Sequence, residues 1–251
     1  MSFASAPSGA HRIDVTDQTG RAYRAVLDNI QLAAEMALIP FVIVFACEFA
    51  PVLLPGGEAA GQVSAALIEA AGFLIFGSVF VVRWQRFVLL GESVSTAPVP
   101  PGWVPFFVSG VTLFAVLFAG WAVLVIIVVL PPHILTMTLT GVGGIALTLF
   151  SIRVSLIFPA AAAGRLVGMH TAWGWVSGNF WRLFVCLILC YMPFVIANSA
   201  IAAIAAISPL TLRIVFAALS LAVSFAGIAV VAALLAQLYR ELAPDPEPST
   251  G

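Results

Sequence analysis

Arg153, Arg165, Arg182 and Arg213 lie in a stretch of chain that offers them no acidic partner, because neither Asp nor Glu occurs from Ser93 through Arg240. A guanidinium stays charged at physiological pH and presents five N–H donors in a planar fork, so it requires acceptors. The acceptors open to these residues are carboxylates of the N-terminal tail or first long helix, backbone carbonyls, or lipid phosphates. Phosphate matches the fork in a bidentate manner, and the cytoplasmic leaflet is anionic. Arg165 and Arg182 flank Trp173 and Trp175, which makes contact with a phospholipid headgroup one natural chemistry. Snorkelling of long basic side chains to the interface is the plainer one.

Two ionisable residues fall inside apolar sequence. Arg153 precedes Pro159 by six residues, and such a charge belongs in a bundle interior or a polar crevice rather than among lipid tails. Glu35 lies about one turn inside the first long helix, at a depth similar to Arg83 and Arg86. A charged group at the bilayer centre costs about 2.5–3.5 kcal/mol on insertion scales, so each needs a reason. A structural ion pair of Glu35 with Arg83 or Arg86 is the favoured reading. A proton- or substrate-linked carboxylate is the alternative. Glu48 and Glu69 read as solvated boundary residues.

Other chemistry finds little support. His11, His133 and His170 are scattered over different regions, with no spacing suited to a metal. Cys47, Cys186 and Cys190 all sit in apolar segments, where thiols behave as small hydrophobes. Cys186 and Cys190 share one helical face, an arrangement too strained for a disulfide. Gly141, Gly143 and Gly144 have no Lys-Ser/Thr after them and no strand before them, so they form no phosphate loop. No Ser-His-Asp or Cys-His set can be assembled. The sequence therefore names no catalytic residue, metal ligand or cofactor, and predicts a protein that is not an enzyme. A formal net charge of −1, with ten arginines and no lysine, argues against a nucleic-acid partner.

The elements that hold these residues are legible. Hydrophobic residues make up 62% and charged residues 8% of the 251 positions, and the mean hydropathy is +1.14. Such a chain belongs in a bilayer. Runs long enough to span predict helices at 31–54, 63–90, 106–130, 135–159, 181–207 and 211–238. Turn residues at Pro51 to Gly57, Pro98 to Gly102, Pro131-Pro132 and Ser208-Pro209 separate them. The fold class is all-α, a polytopic transmembrane bundle of six helices. Residues 1–29 read as a polar cytoplasmic segment, 30–240 as the membrane domain and 241–251 as a short disordered tail. The N-terminal segment lacks the apolar core of a signal peptide, so the first long helix is expected to anchor the protein.

All arginines except Arg213 fall on one side of the alternating path. The positive-inside rule then places both termini in the cytoplasm, in a multi-pass inner-membrane topology. Trp84, Trp103, Trp173, Trp175 and Trp181 share that boundary, as an interfacial aromatic belt would. The helices pair as hairpins, first with second, third with fourth, fifth with sixth. The shared Pro-Phe-Val-Ile of residues 40–43 and 193–196 is compatible with three diverged hairpin repeats. Glycines of Gly164-x-x-x-Gly168 and Gly174-x-x-x-Gly178 suit tight turns in the fourth loop, or packing against the fifth span.

The run Val82-Arg83-Trp84-Gln85-Arg86-Phe87-Val88-Leu89-Leu90-Gly91-Glu92 resembles that of a set of uncharacterised bacterial six-helix inner-membrane proteins. Arg153 to Gly164, and Ala172-Trp173 with Ser177 to Leu183, carry the resemblance further. More distantly the chain is similar to YciC-like proteins and to the membrane domain of some glycerophosphodiester phosphodiesterases. The resemblance implies a six-helix membrane fold but no agreed activity. Both tails are too short for a phosphodiesterase domain, so hydrolysis is not implied.

Two readings follow. The leading one is a non-enzymatic membrane protein that binds an anionic phospholipid or another membrane protein through Arg83, Arg86, Arg153, Arg165, Arg182, Trp173, Trp175 and Trp181. The second is a small transporter or channel whose pathway is lined by Glu35 and Arg153.

Overall fold

The computed structural model describes residues 12–53, 68, 70–92, 99–129 and 134–243, and every regular element among them is helical. The elements are α1 (Val15–Leu27), α2 (Ile30–Leu53), a π-helical turn (Phe73–Gly77) leading into α3 (Ser78–Leu90), α4 (Trp103–Val129), α5 (Ile134–Val154), α6 (Ile157–Ala162), α7 (Met169–Val176), α8 (Phe180–Ala206) and α9 (Leu210–Leu242). Six helices are long and apolar enough to cross a membrane. Their ends lie within a few residues of the sequence expectation, except that the expected start of the second span at 63 and the end of the third at 130 lie outside the described residues. His11, Glu69, Pro131, Pro132 and His133 lie outside the described residues, as does the side chain of Glu48.

The helix boundaries have local causes. Between α5 and α6, Pro159 has no N–H for the carbonyl of Ser155, and that carbonyl accepts from Phe158 N at 3.2 Å instead. The helix breaks there and restarts, so the predicted span 135–159 is two segments. α6 stops at Gly164, whose φ of +83° lets Gly164 N reach Ala161 O and Arg165 N reach Ala160 O, each at 2.9 Å. That is the paired bonding of a Schellman cap, and it gives the glycine its reason. Gly102 is tighter still, since a Cβ built on it would stand 2.6 Å from Ala162 O. Its bareness lets the α3–α4 loop press onto the end of α6.

The N-terminal segment holds an element the sequence reading did not place. Within what was read as a polar tail, Val15–Leu27 forms a helix docked on α8 and α9. The Asp14 carboxylate caps it, accepting from Thr16 N at 3.0 Å and Asp17 N at 3.1 Å. Gln18, Ala22 and Val26 recur every four residues as its buried stripe.

α9 is the hub. Its 33 residues span about 50 Å, and α8, α1, α3, α2 and α6 all pack against it. The hairpin pairs α2 with the π-turn and α3, α4 with α5, and α8 with α9 are each in contact. The α4–α5 pair stands to one side, held through α6, α7 and α3, while α5 barely meets α8. Burial is concentrated at the arginine-bearing end, around Trp84, Leu156, Leu183, Leu234 and Leu238. Farther along the spans, Phe114, Phe118, Val142, Ile196, Ile204 and Val215 are exposed apolar side chains, as a lipid-facing band requires. Close approach of α8 and α9 depends on Gly227, where a Cβ would lie 2.9 Å from Cγ of Phe194. Asn198 adds interhelical hydrogen bonds of 3.0 Å each with Ser224 and Ser220.

Candidate functional site

Most of the arginines find their acceptors on the protein itself. Arg182 Nη1 donates to Ile13 O at 2.6 Å, and Asn179 Oδ1 accepts from Ile13 N at 3.2 Å. Arg240 Nη2 donates to Val88 O at 3.0 Å and Leu89 O at 2.7 Å. These carbonyls end α3, whose cap residue Gly91 has φ +67°. Arg86 Nη1 donates to Ala162 O at 2.8 Å, at the end of α6. Arg213 reaches the end of α8 with Nη2, 3.5 Å from Ala206 O, while its Nε donates to Ser208 O in the following turn at 3.0 Å. Last-turn carbonyls carry the negative end of the helix dipole, so a guanidinium placed there is favoured. Arg165 is half-buried and donates to the hydroxyl of Tyr239 at 3.1 Å.

Two expectations are corrected. Arg86 does not pair with Glu35: its Nε donates to Glu92 Oε2 at 2.7 Å, with a second contact between Nη2 and Oε1. Glu92 follows the α3 cap and reaches back to the helix it leaves, a local pairing that wins over one across helices. Glu35 accepts from Gln31 Nε2 at 3.2 Å on an exposed face of α2. Arg83 is half-buried on α3. Trp84 does not belong to an interfacial belt either. It is 0% exposed, and its Nε1–H donates to Ala229 O at 2.8 Å.

Cys186 and Cys190 are free and buried. They form part of the wall on which α1 rests, with Cys186 Sγ 3.9 Å from Val15 O. Tyr23 of α1 lies farther along the same wall and repairs a defect in α8. Pro193 deprives Leu189 O of its usual helical donor, and the Tyr23 hydroxyl donates to Leu189 O and Cys190 O, each at 3.2 Å. Burial, and then the neighbouring Cys190 thiol, push the Tyr23 phenol above its usual range. A Tyr23→Phe variant should lose about 1 kcal/mol of stability, read as a lower unfolding midpoint in detergent.

Arg153 stands apart from this pattern. Its guanidinium carbon lies 4.3 Å from the ring centroid of Trp173 and 4.6 Å from that of Phe180. The last turn of α5 carries the arginine, α7 brings Trp173, and the start of α8 brings Phe180 and Trp181. These residues line a crevice of about 350 Å³ with Ala146, Leu149 and Phe150. Trp181 is 66% exposed at its rim. Among the described residues, no carboxylate, thiol or imidazole lines the crevice. Two aromatic faces stabilise the cation and hold its fork in place, while the N–H edge has no hydrogen-bond partner among the described residues.

Of the sequence candidates, Arg153, Trp173 and Trp181 thus converge. Trp175 packs edge-on against Tyr239, 5.6 Å away, beside Arg165. Arg83, Arg86, Arg165 and Arg182 lie outside the crevice. Glu35 is not among its lining residues, so the two ionisable groups of the transporter reading do not share it. Sequence reasoning missed Phe180. Its available signal was its place beside Trp181 at the start of a span. Comparison with known proteins finds no matching family model, no matching curated protein and no matching solved structure.

Proposed function

We propose that this integral membrane protein is a non-catalytic binder of anionic phospholipid, which it holds by the phosphate at Arg153. The observation that carries the reading is the Arg153 guanidinium clamped between Trp173 and Phe180 in an open crevice without a carboxylate. A half-buried fork held against two aromatic rings suits a phosphate oxygen pair, and the indoles suit the headgroup level. The exposed apolar band beyond the crevice would carry the acyl chains. The reading places the protein in a bacterial inner membrane with both termini on the cytoplasmic side, supported by the bias of the arginines. Kinship with the six-helix inner-membrane proteins, and more distantly with YciC-like proteins, belongs to the same proposal, supported by the Arg-Trp-x-Arg-Phe run and its companions.

Native mass spectrometry of the gently extracted protein tests it. Wild type should retain phosphatidylglycerol in a one-to-one complex. Arg153→Ala should lower that retention about tenfold or more, the effect of losing a charged hydrogen bond of about 1.5–3 kcal/mol. Arg165→Ala, which removes a guanidinium hydrogen-bonded to Tyr239, should leave retention unchanged. Equal retention by Arg153→Ala and wild type would overturn the reading.

A further inference from the structure

A cavity of about 250 Å³ lies between α2, the π-helical turn, α8 and α9. It shares no lining residue with the Arg153 crevice. Val44, Phe73, Ala217 and Ile228 supply apolar wall, yet more of its surface is polar than apolar. Among the described residues, Tyr191, Ser220 and Ser224 are the lining residues with polar side chains. Phe73 and Tyr191 are 38% and 50% exposed, so the cavity opens sideways toward lipid. Tyr191 lies about 16 Å along α8 from its start at Phe180. At that depth hydrocarbon offers a polar wall no partner, and leaving it bare is costly.

The hydrogens of this wall can be counted. Asn198 Oδ1 can only accept, so its 3.0 Å bond with Ser220 Oγ uses the Ser220 proton. The carbonyl of Ser220 can only accept, so its 2.9 Å bond with Ser224 Oγ uses the Ser224 proton. Asn198 Nδ2 in turn donates to Ser224 Oγ at 3.0 Å. With the Asn198 amide so oriented, both serine oxygens keep lone pairs and neither has a proton left to give. Tyr191 is the complement. Its hydroxyl has no hydrogen-bond partner among the described residues, so its proton is uncommitted. The wall therefore calls for one donor and offers one.

We propose that this cavity binds the hydroxyl group of a neutral, membrane-dissolved long-chain alcohol. The alcohol O–H donates to a serine Oγ while its oxygen accepts from the Tyr191 hydroxyl. Its alkyl chain leaves past Phe73 into the bilayer. Selection follows from protons and charge. An ether of the same chain can accept from Tyr191 but has nothing for the serines, and a hydrocarbon serves neither. A phosphate or carboxylate would set further lone pairs against the serine oxygens. An ammonium would stand unneutralised, since no carboxylate lines the cavity among the described residues. A charge of either sign is also expensive that far inside the span. The site is independent of phospholipid binding at Arg153.

Equilibrium binding of radiolabelled 1-hexadecanol to the full chain in lipid nanodiscs tests the proposal, with unlabelled 1-hexadecanol, methyl hexadecyl ether and hexadecane as competitors. The expected result is saturable one-to-one binding, with the ether competing about tenfold more weakly than the alcohol, as loss of one buried hydrogen bond dictates. Tyr191→Phe, which breaks no hydrogen bond within the protein, should weaken alcohol and ether alike by about tenfold and keep the preference between them. Ser220→Ala combined with Ser224→Ala should bind alcohol and ether equally. Those serines also brace α8 on α9, so Tyr191→Phe decides the matter if the double variant fails to fold. Arg153→Ala should leave 1-hexadecanol binding unchanged. Non-saturable uptake, equal competition by alcohol and ether on wild type, or wild-type affinity in Tyr191→Phe would each overturn the proposal.

Discussion

A Trp84→Ala variant should be the least stable single substitution of those considered for this protein, losing about 3–5 kcal/mol. Trp84 is the largest of the fully buried side chains. Its ring packs on Phe87 at 5.4 Å between centroids, at the junction of α3 with the α9 hub. Truncation removes the ring's contacts and leaves a cavity in a region already closely packed. It also removes the donor to Ala229 O. Trp84→Phe isolates the second effect: most of the packing survives, and the loss should fall to about 1–2 kcal/mol. Unfolding in mixed micelles titrated with denaturing detergent reads both. A headgroup-level tryptophan would behave differently, because its truncation leaves no cavity. A Trp84→Ala loss below about 1 kcal/mol would therefore sink the buried placement.

Trp84 also shows where sequence reading runs out. Trp84 and Trp181 both stand beside arginines near the end of an apolar run, so composition assigns them to one belt. Trp84 points toward α9 and Trp181 away from the bundle, a difference set by helix rotation. The spans were legible because their cause is local: length, apolarity and the Pro and Gly residues that end them. The break before Pro159 is local too, yet a short α6 adds nothing visible to an apolar run. α1 was hidden for the opposite reason. Its buried stripe is Gln18, Ala22 and Val26, too polar to stand out beside true spans, and only the surfaces of α8 and α9 make it a stripe.

The arginines divide along the same line. Absence of acids from 93 to 240 already limited their acceptors to distant carboxylates, carbonyls or phosphates. Which of these each arginine took depends on helix ends that meet only in three dimensions. Arg182, Arg213 and Arg240 took carbonyls. Arg86 took a carbonyl and the nearby Glu92. Arg153 was drawn toward two rings, because α7 places Trp173 over the last turn of α5.

Arg182→Ala should accordingly release the N-terminal helix rather than a lipid. Ile13 is fully buried, and both of its backbone groups are engaged by the start of α8: its carbonyl by Arg182 and its N–H by Asn179. Removing the guanidinium leaves a buried carbonyl unpaired, a loss of about 1.5–3 kcal/mol for a charged hydrogen bond. That loss acts on α1 selectively, because Ile13 immediately precedes its cap at Asp14. Local opening then rises by about 10- to 150-fold while the spans stay folded. Arg21 and Arg24 are exposed on α1 and become trypsin sites once it unwinds. Cleavage there should accelerate by a similar factor, and amide exchange over residues 15–27 should rise with it. Asn179→Ala should act in the same direction but more weakly, since it removes a neutral acceptor. The salt bridge of Arg21 with Glu241, at 3.0 Å, is too exposed to hold α1 in place alone. Were Arg182 a lipid ligand instead, the variant would shed phospholipid and leave trypsin cleavage at wild-type rates. The two roles thus predict opposite results in the same pair of measurements.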